Sequence, residues 1–289
     1  MNIISQTLHR HIDIIRRYPA AFLIALFTFA VVIYHEYTQH RLLYGIGYVF
    51  AVWFGAFVTD VVTTLFPKKD KEFPIKKPVW QEVATIAVCT LLGMVFFIVR
   101  FHGGWETMNP WLKLSFMPLL LFAFPIALAL IYLFRYKYKP SELGGNVRYW
   151  YLAIFIHIIV GSITLLTAPD RSHWTEAYKE MGIAGLLFTG LVSAALPEEF
   201  LRMLLQTRLG KAFKNVGMGF VVTSFIWCTM HLPVESQGEK TFDWELHATR
   251  LFTLMPIGYL WGYITHRTRS LLPSVLVHGF NLWGLQNAV

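Results

Sequence analysis

Nine blocks of apolar sequence leave this chain few ways to fold. They run at roughly residues 18–35, 43–66, 83–101, 113–134, 149–168, 181–201, 216–232, 250–265 and 271–288. Each approaches the ~20 residues a helix needs to cross the hydrocarbon of a bilayer. The pattern predicts an all-α, polytopic integral membrane helix bundle with about eight or nine transmembrane helices. The sixth, seventh and ninth blocks are short or interrupted, so eight full spans plus a partial one is the alternative to nine. Composition agrees: 55% of the 289 residues are hydrophobic and only 15% are charged, against about 25% charged in soluble domains. The mean hydropathy is +0.49.

Charge placement orients the bundle. With the N-terminus cytoplasmic and sides alternating, the cytoplasmic segments hold 17 of the 25 lysines and arginines and the opposite side holds 7, Arg202 lying within a span. That bias is what the positive-inside rule expects. The net charge of +8 therefore reflects topology and anionic lipid headgroups. It does not point to a nucleic-acid surface, because no basic stretch carries interleaved stacking aromatics. The opening "MNIISQTLHRHIDIIRRYPAAF" reads as an amphipathic basic lead-in, not as a cleavable signal peptide. The layout suits a bacterial inner (plasma) membrane, with the endoplasmic reticulum as the alternative. Trp80, Trp105, Trp111, Tyr149, Trp150 and Trp174 fall at block ends, as an interfacial belt does. Cys89 and Cys228 lie inside apolar blocks with no metal or disulfide spacing and read as packing residues. The loop "PKKDKEFPIKKP" (67–78) either fixes orientation or binds headgroups. A second loop, "YKYKPSELGGNV" (136–147), divides the chain into residues 1–145, with no recognised site, and residues 146–289, which carry the polar residues of interest.

An ionisable side chain at mid-membrane costs about 2.5–3.5 kcal/mol on insertion scales, so such residues need a reason. "AALPEEFLRMLLQ" (194–206) carries Glu198, Glu199 and Arg202. "SFIWCTMHLP" (224–233) carries His231, and "SVLVHGFNLWG" (274–284) carries His278 and Asn281. Residues three and four apart share a helix face. Glu198 and Glu199 are therefore both within reach of Arg202, and His278 shares a face with Asn281. If the three helices pack together, these groups line one polar cavity. A carboxylate in a low-dielectric site can serve as general base toward water. A histidine can hold that water, and a histidine–asparagine pair can stabilise a developing oxyanion. Arg202 can neutralise Glu199, otherwise an unpaired buried anion. Peptide hydrolysis needs a water, a base and an oxyanion site, and this set supplies them without serine or cysteine. Asp60 and His157, each alone in its span, read as satisfied structural groups or contacts to the bundle interior.

"PEEFLR", "WCTMH" and "RTRSLLPSVLVHGFN" resemble the three motifs of the CAAX-protease and bacteriocin-processing family of membrane proteins, which includes the type II CAAX prenyl endopeptidases. The resemblance covers roughly residues 185–285. It implies a glutamate-type intramembrane endopeptidase without metal or other cofactor. Carried over motif by motif, it implies Glu198 as the water-activating base, His231 as the water holder, and His278 with Asn281 as the oxyanion site. Three positions depart from the family pattern. The first motif reads E-E-x-x-R, one residue short of EExxxR, so either glutamate can partner Arg202. The aromatic of the second motif is Trp227 where the family has Phe. Asn281 follows His278 by three residues where the family spaces them by four, and Leu282 stands at the fourth.

Other functions compete. Glu198, His231 and His278 would make a two-His, one-Glu zinc set, though no HExxH is present. A catalytically inactive scaffold, immunity protein or transporter of the same fold would use the polar cavity for binding only. In the protease reading the partners are a membrane-anchored protein or peptide substrate and the lipid bilayer, with no nucleic acid. Lipidation of the substrate and the oligomeric state are not written in the sequence.

Overall fold

The computed structural model describes residues 2–67, 72–168, 176–239 and 242–281, and among these no strand occurs. The first helix, α1 (Ile3–Arg17), starts where the Asn2 side chain accepts the Ser5 amide at 2.9 Å. Pro19 opens α2 (Pro19–Thr38) at a position where its missing N–H costs nothing. Two long apolar helices come next, α3 (Leu42–Leu65) and α4 (Val79–His102). The fourth apolar block is broken into α5 (Pro110–Phe116), α6 (Leu120–Ala123) and α7 (Ile126–Leu130), the last continuing as a π-helical turn to Arg135. Pro125, which has no N–H to donate, sits at the break, and the two arms meet at 57°.

The C-terminal half holds α8 (Leu152–Thr167), α9 (Glu176–Leu187), a π-helical stretch Phe188–Ala195, α10 (Leu196–Ala212) and α11 (Val216–Thr229). A single turn, α12 (Leu232–Glu235), leads on to α13 (Trp244–Thr268) and α14 (Leu272–Asn281).

Five helices are long and apolar enough to cross a membrane, six if the bent pair is one span. The protein is thus an integral membrane helix bundle. Length and composition of the helices do not by themselves yield the expected eight or nine spans. Helix α8 has only 16 residues, because the chain turns at Tyr149 with a positive φ of 56° before it starts. The eighth apolar block lies within α13, which carries Glu245, Arg250 and Arg267. The ninth forms the 10-residue α14, and residues 282–288 lie outside the described chain.

Two large apolar clusters form most of the core, and each draws on both halves of the sequence. One joins Val52 to Ile156, Leu260 and Trp261. The other joins Ile86 and Leu128 to Leu204 and Val275. Cys89 and Cys228 are buried in different clusters and are not disulfide-bonded.

Helix α10 runs through the middle of the bundle and buries charge along its length. Arg208 is fully buried, with its Nε 2.8 Å from a carboxylate oxygen of Glu82 on α4. Its guanidinium lies against the rings of Tyr132 and Tyr138. The other Glu82 oxygen accepts from the Tyr138 hydroxyl at 2.6 Å and from the Lys76 and Lys77 amides. A second hub forms at Asp60 on α3. It accepts from Arg267 Nε at 2.6 Å, the Tyr263 hydroxyl at 2.5 Å and Arg10 Nη1 at 3.2 Å, and contacts His11 Nε2 at 3.0 Å. Asp60 thereby ties α1 and α13 to α3, a satisfied structural group as its isolation in the sequence suggested.

Removing one partner of a fully buried ion pair typically costs about 3–5 kcal/mol, whereas replacing both with apolar residues is often neutral. Glu82→Leu should therefore lower the thermal midpoint of the detergent-solubilised protein sharply. Adding Arg208→Met should recover most of the loss, as measured by scanning fluorimetry.

Candidate active site

The site is assembled on α10 and completed by α11, α13 and α14. Ahead of α10, the π-helical Phe188–Ala195 ends at Leu196–Pro197. π-Helical turns widen the backbone locally and often accompany functional positions. The next two residues, Glu198 and Glu199, point about 100° apart around the helix and meet different fates. Glu199 is fully buried. One of its oxygens lies 3.4 Å from Arg202 Nη2 and 3.0 Å from His278 Nδ1. Glu198 keeps 25% of its side chain exposed, and His231 keeps 31%.

Arg202 is held from several directions. Its Nη1 donates to the carbonyl of Gly258 at 2.8 Å, and its guanidinium lies 4.1 Å above the ring of Trp227 and 5.1 Å from that of Trp261. One turn further on, Gln206 Nε2 donates to the carbonyl of Gly262 at 3.2 Å. Arg202 and Gln206 are four residues apart on α10, and Gly258 and Gly262 are four apart on α13, so the contacts form two rungs between the helices. Both rungs leave little room for a side chain, a Cβ on Gly262 coming within 2.6 Å of Gln206 Oε1. A Cβ on Gly258 would come within 3.3 Å of Arg202 Nη1, Ser224 Oγ and the Trp227 ring. Small residues four apart let helix backbones approach in membranes.

His278 arrives on α14, whose direction is set by a short clamped turn. Arg269 adopts a left-handed conformation at the end of α13. The loop 144–146 grips residues 269–271. Leu271 N donates to the carbonyl of Gly144 at 3.0 Å, Asn146 Nδ2 to that of Arg269 at 2.9 Å, and Ser270 Oγ to that of Asn146 at 2.7 Å. Thr265 and Ser274 join α13 to α14 through their hydroxyls at 2.6 Å. The His278 ring then stacks on Trp261 at 3.7 Å and 13°. A carboxylate oxygen of Glu199 can accept from Nδ1 of this ring.

His231 lies at the end of α11. Its Nδ1 is 3.0 Å from the carbonyl oxygen of Trp227, one turn back. A carbonyl only accepts, so Nδ1 carries the proton, and the neutral ring presents an Nε2 lone pair. The segment beyond is latched by His102 at the end of α4, whose Nε2 meets Pro233 O at 2.9 Å and Ser236 Oγ at 3.1 Å.

These arrangements converge on one atom. Glu198 Oε2 lies 3.7 Å from His231 Nε2, 3.7 Å from His278 Nε2 and 2.6 Å from Trp227 Nε1, which donates to it. The structure therefore gathers Glu198, Glu199, Arg202, His231 and His278 into one cluster. Of the two glutamates, Arg202 pairs with Glu199. Asn281 is the last residue of α14, and its side chain lies outside the described residues. Among the described residues, no group of three or more His, Cys, Asp or Glu side chains is disposed to hold a metal ion. The sequence reading missed Trp227 as a donor, Trp261 as the stacking partner of His278, and the Gly258–Gly262 rungs. The G-x-x-x-G spacing inside "GYLWGY" was a readable sign of the last.

Gly258→Ala should strain this packing by about 1–3 kcal/mol, the usual cost of overfilling a tight contact. The expected readouts are a lowered thermal midpoint and a changed near-ultraviolet dichroism from Trp227 and Trp261.

Residues 180–283 match the family model described as Type II CAAX prenyl endopeptidase Rce1-like. No curated protein and no solved structure matches the chain. The matched segment contains every residue of the cluster. Over residues 180–283 the chain is thus similar to the Rce1-like type II CAAX prenyl endopeptidases.

Proposed function

We propose that the protein is an intramembrane endopeptidase of glutamic type that hydrolyses a peptide bond of a membrane-anchored protein or peptide. The observation that supports this reading most directly is the convergence of the partly open Glu198 and His231 with His278, both imidazole Nε2 atoms lying 3.7 Å from one carboxylate oxygen. An Rce1-like match over residues 180–283 favours a CAAX-type endopeptidase activity in general.

In this reading a water donates one O–H to the Glu198 carboxylate and the other to the His231 Nε2 lone pair. Hydrogen bonds of ordinary length, about 2.8 Å to each acceptor, would hold it. As Glu198 takes the proton, the water oxygen adds to the scissile carbonyl carbon and the carbonyl oxygen becomes an oxyanion. His278 is the donor this reading assigns to that charge. With Nδ1–H given to Glu199, it donates from Nε2 as the imidazolium, whose countercharge is Glu199, itself neutralised in part by Arg202. Asn281 adds a second oxyanion donor. Collapse of the tetrahedral intermediate breaks the C–N bond, and the proton held by Glu198 passes to the leaving amine. Residues 146–289 form the catalytic portion, and residues 1–145 support it through the Glu82–Arg208 and Asp60 contacts. The N-terminus is cytoplasmic, and the host membrane is a bacterial inner membrane.

The test uses full-length protein in nanodiscs and a quenched-fluorescent peptide ending in a farnesylated CAAX sequence. Glu198→Gln and His231→Ala should each reduce cleavage by about 10²–10⁴-fold, the usual contribution of a general acid–base group, with the thermal midpoint kept. A chelator should leave the rate unchanged. Cleavage by Glu198→Gln at the wild-type rate would overturn the proposal, and zinc-restorable inhibition by the chelator would replace it with a metalloprotease.

A further inference from the structure

The structure assigns Trp227 a role of its own: its indole N–H pins one oxygen of Glu198, so that the other oxygen, Oε1, is the one that takes the proton from water. This inference rests on the protease reading above and adds to it a positioning residue and an atomic assignment for the base.

Three observations carry it. First, the contact is short and specific. Trp227 Nε1 donates to Glu198 Oε2 at 2.6 Å, at the short end of N–H···O hydrogen bonds, as expected for a carboxylate acceptor. Second, the donor cannot easily move. Trp227 is 4% exposed. Arg202 covers its ring face at 4.1 Å, and Trp261, His231 and His278 all meet it edge-on. Its own carbonyl is the acceptor for His231 Nδ1, so one residue orients both the glutamate and the histidine. Third, the two carboxylate oxygens are unequal. Oε2 is surrounded by the indole and both imidazoles, whereas Oε1 receives no hydrogen bond from any described residue.

An oxygen already engaged by a short N–H bond is the poorer proton acceptor, which leaves Oε1 for the water. The step balances simply: the water O–H bond breaks, the proton goes to Oε1, and the freed electron pair forms the bond to the carbonyl carbon. Phenylalanine, which the motif pattern led us to expect here, would keep an aromatic ring in place but could not donate. The tryptophan thus supplies a hydrogen bond that a purely structural aromatic would not.

Two measurements test the assignment. In the nanodisc assay with the farnesylated peptide, Trp227→Phe should lower kcat by about tenfold to a hundredfold, the scale of a misplaced catalytic group, and leave KM within about twofold. Unchanged kcat, or a rise in KM alone, would overturn it. The second measurement does not require the Trp227 variant to fold. In ¹⁵N-tryptophan-labelled protein, Glu198→Gln should shift one indole N–H resonance upfield as the charged acceptor is lost, with the thermal midpoint maintained. If no indole resonance moves, the hydrogen bond is absent and the assignment fails, whatever the kinetics. If the wild-type protein cleaves nothing while the resonance does move, the protease reading is what fails, and the catalytic role of Trp227 falls with it.

Discussion

Charge buried among apolar helices must be answered locally, and this architecture is organised around that requirement. Hydrocarbon and close-packed side chains offer no solvation, so each buried ion needs a partner of opposite sign and further hydrogen bonds. Three such assemblies stitch the bundle. Glu82 with Arg208 joins α4 to α10. Asp60 with Arg10 and Arg267 joins α3 to α1 and α13. Glu199 with Arg202 and His278 joins α10 to α14, while Arg202 also reaches α13. The apolar contacts supply most of the burial, but they are poorly specific about rotation. The polar assemblies set the rotation and register of α10, and the geometry of the site depends on α10.

The adjacent glutamates illustrate how helix geometry divides labour. A single step of about 100° turns Glu199 into the protein, where it completes a buried network, and leaves Glu198 partly accessible with imidazoles on two sides. Glu199, itself paired with Arg202, holds His278, and the Trp227 carbonyl holds His231, so each ring is oriented through its Nδ1 by an acceptor. Even the turn that delivers α14 is held by hydrogen bonds to the loop 144–146. In the sequence this loop reads as a boundary between halves. In the structure it clamps the C-terminal helix, because the Gly144 and Asn146 carbonyls and the Asn146 amide match polar groups of the turn at 269–271.

The sequence by itself determined the membrane-embedded helical class, because apolar blocks of spanning length admit little else. It also determined which residues are too costly in such blocks to be incidental: Glu198, Glu199, Arg202, His231 and His278. Helical spacing was enough to place Arg202 near both glutamates. Tertiary structure alone decided which glutamate Arg202 pairs with, since three- and four-residue spacings are nearly equivalent on an isolated helix and only the Gly258 carbonyl and the Trp227 face select one. It alone showed Trp227 as a donor to Glu198, because a tryptophan in an apolar run looks like packing until its N–H is seen to have a partner. It decided the helix breaks too, at Pro125 and before α8, since hydropathy sums over a window and does not register a bend. Local chemistry is written along the chain, but the choice among equally spaced partners belongs to the distant helices that surround them.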